Sequence, residues 1–75
     1  MTNAELHNTA HTFSDMNDEY VRAVRTAHLR AARQAPNAAL AQRRATMARI
    51  CNWELVRRAA IGRYYDAVAA SEGWA

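Results

Sequence analysis

The stretch Ala38 to Ala70, AALAQRRATMARICNWELVRRAAIGRYYDAVAA, decides how this chain folds. Its thirty-three residues include no proline and one glycine, Gly62, so it reads as helix throughout. Its apolar residues do not keep one phase. Leu40, Met47, Cys51 and Leu55 make a stripe in the first half. Ile50, Trp53, Val56, Ala60, Ile61, Tyr64, Ala67 and Val68 make a broader one in the second. At about 100° per residue, the two stripe centres lie about 140° apart on a straight helix. Two arrangements satisfy both stripes. The helix breaks near Cys51–Asn52, with Asn52 capping a fourth helix that starts at Trp53. Alternatively it runs unbroken and packs its second half on another chain. Gly73 is the expected C-cap glycine. Asp66 and Glu72 oppose the dipole near that end, so the last turn is expected to fray.

Upstream, Thr2 and Glu5 spell a capping box for a first helix over about 3–13, with Leu6, Ala10 and Phe13 on one face. Ser14 or Asp15 is the expected cap of a second helix, over about 15–34. On it Met16, Tyr20, Val21, Val24, Ala27, His28, Ala31, Ala32 and Ala35 gather on one face. Arg22, Arg25, Thr26, Arg30 and Arg33 take the other, with Leu29 exposed among them. Pro36 ends this helix and Asn37 caps the long one, over about 38–70. No strand-like alternation, repeat or low-complexity tract interrupts the pattern. The expected fold is a single all-α domain, a three- or four-helix bundle completed by dimerisation.

Composition explains why a second chain is expected. Of 75 residues, 51% are hydrophobic, but eighteen of those are alanines, which bury little area. The large apolar set, which includes Trp74 near the end of the chain, is too small to stabilise a lone domain of this length comfortably. A single cysteine, Cys51, excludes an intrachain disulfide. No apolar run approaches the ~18 residues of a membrane span, and the N-terminal residues do not read as a signal peptide. The expected location is cytoplasmic.

Charge is segregated along the chain. Residues 1–20 carry four acids and no base; residues 21–63 carry all ten arginines against Glu54 alone; the remainder adds Asp66 and Glu72. An acidic head on a basic body implies an anionic partner, or head-to-body pairing. The absence of lysine beside ten arginines is the pattern expected of a GC-rich genome rather than of a binding code, and compact cysteine-poor frames of that kind are expected among phage and mobile-element proteins.

Catalytic chemistry finds little to stand on. His7 and His11 have the i, i+4 spacing of metal ligands, but only His28 and Cys51 could complete a set, so no metal or other cofactor is expected. Asp15 to Glu19 opens like a calcium loop, yet Tyr20 stands where glycine is needed and Thr26 where glutamate is needed. Cys51 sits on an apolar stripe with no base placed beside it, and Gly62 and Gly73 are too isolated to cradle phosphate. Neither an enzyme nor a small-molecule substrate is expected. Membrane-surface binding is poorly served, because the apolar helix faces are needed for folding.

Binding remains. Trp53, Ile61, Tyr64 and Val68 are the expected partner-binding residues, since aromatics beside arginine dominate interface hot spots. Arg57, Arg58, Arg63, Arg43 and Arg44 are the expected contacts to an acidic partner surface or to phosphate. The leading reading is a regulatory protein that pairs with itself or with a protein of acidic surface. The alternative is an arginine-rich helical DNA- or RNA-binding protein, for which a break at Asn52 would supply a helix–turn–helix outline.

Overall fold

A computed structural model describes residues 2–73, and Trp74 lies outside them. The described residues form three helices and no strand: α1 (Asn3–Ser14), α2 (Asp18–Arg33) and α3 (Ala38–Glu72). The fold is all-α. The helix starts follow from side-chain caps. Thr2 and Glu5 exchange the two hydrogen bonds of the capping box, each 3.2 Å. Asn37 Oδ1 accepts from the Leu40 amide at 2.8 Å to start α3. The start of α2 differs from expectation. Asn17, in extended conformation, accepts from the Tyr20 amide at 2.8 Å and is the cap. Ser14 ends α1 instead, donating its hydroxyl to the His11 carbonyl. Asp18 and Glu19 still occupy the first turn of α2, where the dipole favours them.

α3 does not break. It runs as one helix of 35 residues and ends at Gly73, whose φ of 76° is the left-handed geometry of a C-cap. The fourth helix and the helix–turn–helix outline are therefore absent from the described residues. Asn52, considered as a cap, sits mid-helix and accepts a 2.9 Å hydrogen bond from Arg25 Nη1.

α2 packs back along the first half of α3, and α1 makes a smaller contact across it. Phe13, Val21, Ile50 and Cys51 form the buried cluster, with Leu6, Met16, Val24, Met47 and Leu55 packed at its edge. Ile50 belongs to this core, not to the second stripe where phase counting placed it. On α2, Tyr20 and Ala27 are exposed and Arg25 is half-buried, so the packed face is turned toward Arg25. Each large side chain buried in full contributes roughly 1.5–3 kcal/mol, so a cluster this small holds the chain lightly. Beyond Arg58, α3 leaves its neighbours. The molecule is 55 Å long and 24 by 16 Å across, a length set by α3 itself.

Candidate interaction surfaces

The junction where α3 leaves the bundle is built around Glu54, a carboxylate with 7% exposure inside a basic body. Arg57 grips it from one turn ahead, Nε to Oε2 at 2.9 Å and Nη2 to Oε1 at 2.6 Å. Arg58 adds Nε to Oε1 at 2.7 Å. Arg58 then spends its other nitrogens on different elements. Nη1 pairs with Asp18 at 2.5 Å, and Nη2 donates to the carbonyls of Phe13, at 2.9 Å, and Met16. One guanidinium thus satisfies the open end of α1, the acidic start of α2 and the middle of α3. The hydrogen bonds of Arg57, and after them those of Arg58, lower the Glu54 carboxyl from 4.5 to about 2, against the opposing effect of burial.

This network corrects the phosphate-contact reading of Arg58. Its planar fork is engaged on three sides and faces inward. Arg57 is half-exposed but already holds Glu54. The spacing that would have revealed the pair was in view: Glu54 is followed at i+3 and i+4 by arginines, on the phase of Met47 and Cys51.

The residues expected to bind a partner fall mostly on the unpacked half of α3. Trp53 is 63% exposed, Val56 56%, Ile61 39% and Tyr64 65%. Val68 is half-buried. Tyr65 lies edge-on to Tyr64, ring centroids 5.7 Å apart. The structure brings Trp53, Ile61 and Tyr64 onto an apolar flank that no other described helix covers. Arg63 is exposed on the same half.

Arg43 and Arg44 lie elsewhere, at the far end of α3. Arg44 Nη1 approaches His28 Nδ1 at 3.4 Å, and burial followed by the Arg44 charge lowers the His28 pKa. Arg43 lines a cleft of about 480 Å³ between α1 and α3, together with Glu5 and Arg49. A second groove, of about 460 Å³, runs between α2 and α3, floored by Ala45 and Ala48 and flanked by Arg25 and Arg49. Among the described residues, ion pairs engage only Arg57 and Arg58.

His7 and His11 stack with rings 5° from parallel and centroids 6.3 Å apart. They line a cleft whose other wall holds Glu54 and Arg57. Among the described residues no three His, Cys, Asp or Glu side chains gather as metal ligands would. Cys51 is fully buried, and burial pushes its thiol pKa up, away from the nucleophilic thiolate. No described helix is long and apolar enough to cross a membrane. Comparison with protein-family models, curated protein sequences and solved structures gave no match.

Proposed function

We propose that this is a small non-catalytic binding or regulatory protein that acts through the unpacked half of α3, and that its first partner is a second copy of itself. The observation that carries this reading is the apolar flank of α3, exposed at Trp53 and Val56 just before the Arg58 junction and at Ile61 and Tyr64 beyond it. Surface area supports it. A compact monomer of 8.4 kDa exposes about 4,600 Å² by the usual scaling, whereas this chain exposes 5749 Å². The excess, about 1,100 Å², is comparable to the roughly 800 Å² that each partner contributes to a standard interface. Helix energetics point the same way, because helices in proteins draw most of their stability from packing an apolar face, and the fourteen residues beyond Arg58 have little to pack on.

Pairing on this flank would bury the aromatics and complete a helical bundle. Arg57 and Arg63 would border the contact, available to carboxylates of the second chain or of another protein with an acidic surface. Sedimentation at micromolar concentration tests the reading. The protein is expected to run as a dimer, and Tyr64→Glu to weaken association at least about tenfold, a loss of roughly 1.4 kcal/mol. A wild-type monomer at those concentrations, or a dimer indifferent to Tyr64→Glu, overturns it.

A further inference from the structure

From Tyr20 to Trp53 the chain holds seven arginines and no aspartate or glutamate. The fold turns this run into a hairpin, α2 against the first half of α3, and none of its arginines takes part in an ion pair among the described residues. On α2, Arg22, Arg25 and Arg33 lie within an arc of about 80°, with Leu29 among them. Arg25 is held by its bond to Asn52 and lines the α2–α3 groove, opposite Arg49. Ala45 and Ala48, with their short side chains, line the groove between these two arginines. Arg49 also borders the cleft on the other flank of α3, where α1 contributes Glu5; that carboxylate already accepts from the Thr2 amide.

We infer that this face binds the phosphodiester backbone of a nucleic acid. Arginine's fork suits phosphate oxygens, and four such groups supply the sequence-independent attraction on which non-specific binding rests. Arg22 to Arg33 spans about 16 Å along the α2 axis, a length over which a duplex carries about five charges per strand along its own axis. An acidic protein would have to present carboxylates along that whole length; a nucleic acid does so by construction. Arg22, Arg25 and Arg33 lie on α2, off the α3 flank, while Arg49 stands one turn before Trp53; the inference itself does not rest on self-association.

The test is fluorescence anisotropy of the full chain with a labelled mixed-sequence duplex and with its single strand, across a salt series. With four phosphate contacts, the slope of log affinity against log salt is expected near −3.6 for duplex and about −2.8 for single strand. For the duplex, a fourfold rise in salt then weakens binding about a hundredfold. The stronger arm identifies which form is preferred. Combined Arg22→Gln, Arg33→Gln and Arg49→Gln, all at exposed positions, should reduce the duplex slope to about −0.9. The corresponding lysine triple should restore most of it, and Arg63→Gln should leave it unchanged. If the triple variant fails to fold by circular dichroism, Arg49→Gln alone should remove about 0.9 of slope. Absent binding at low salt overturns the inference, as does a triple variant with the wild-type slope. Displacement by polyglutamate at equal charge overturns it too, and assigns the face to an acidic protein.

Discussion

The two halves of α3 share one unbroken backbone and differ in nearly everything else. From Ala38 to Arg58 the helix has neighbours: α2 along its length, α1 across it, and Ile50, Cys51 and Glu54 buried. From Ala59 to Glu72 it has almost none, although Ile61, Tyr64 and Tyr65 are as apolar or aromatic as anything in the core. The difference is one of phase, not of composition. The first stripe points at the rest of the chain; the second is rotated away from it by more than a right angle. A continuous helix cannot satisfy both with α1 and α2 alone. The packed half also nucleates the free one, since extending an existing helix avoids the unfavourable first turn.

Isoleucines in both halves give the largest expected contrast. Ile50→Ala removes a side chain that is 1% exposed and should cost about 2–5 kcal/mol through lost burial and a residual cavity. In a domain of this size that lowers Tm by roughly 10 °C or more. Ile61→Ala, at dilutions that keep the chain monomeric, should cost less than about 0.5 kcal/mol. Equal losses in thermal melts would mean that the free half is packed within one chain.

Much of this was legible in sequence because it depends on neighbours within a turn or two. The caps at Thr2 and Asn37, the basic arc of α2 and the phase change in α3 all come from local spacing. Asn17 was missed as a cap because Ser14 and Asp15 compete for the role at the level of residue type, and only backbone geometry separates them. The Arg58 junction was out of reach. Its partners Phe13, Met16 and Asp18 lie more than a helix length away in sequence, and arginine's long stem hides its destination. Ile50 was misassigned because it stands at the boundary between the two stripes, where either half can claim it. As for the surfaces, Trp53, Ile61 and Tyr64 stand exposed on α3, Tyr20 is exposed where packing on α2 was expected, and of the arginines near the flank Arg57 and Arg58 are engaged by Glu54 and Asp18.

The next contrast is electrostatic and smaller. Glu54 has a folded pKa of about 2 against an ordinary 4.5, so it contributes stability that is complete above about pH 4.5. That contribution is lost as pH falls through about 2. Glu54→Gln should therefore flatten the acid limb of the stability curve, by roughly 1–3 kcal/mol relative to wild type. Denaturant melts at pH 7 and pH 3 check this. A parallel acid limb in the variant would show that the junction is not what links α1 and α2 to α3 electrostatically.

The smallest effect sharpens the comparison from the free side. A Cβ added at Gly62 meets nothing within 4 Å. Gly62→Ala should favour the helix locally by about 0.5–1 kcal/mol. Amide exchange across residues 59–72 should slow several-fold while the main thermal transition barely moves. A shift of the whole transition would show that the two halves melt as one unit.

The free half of α3 also has a length, and length is a form of information. Fourteen helical residues reach about 21 Å beyond the Arg58 junction. A molecule seated near the tip is held more than that distance from the arginine-lined groove, which lies on the other side of the junction. The helix therefore acts as a ruler. Deleting whole turns from it would change a spacing while leaving the groove and the packed core as they are.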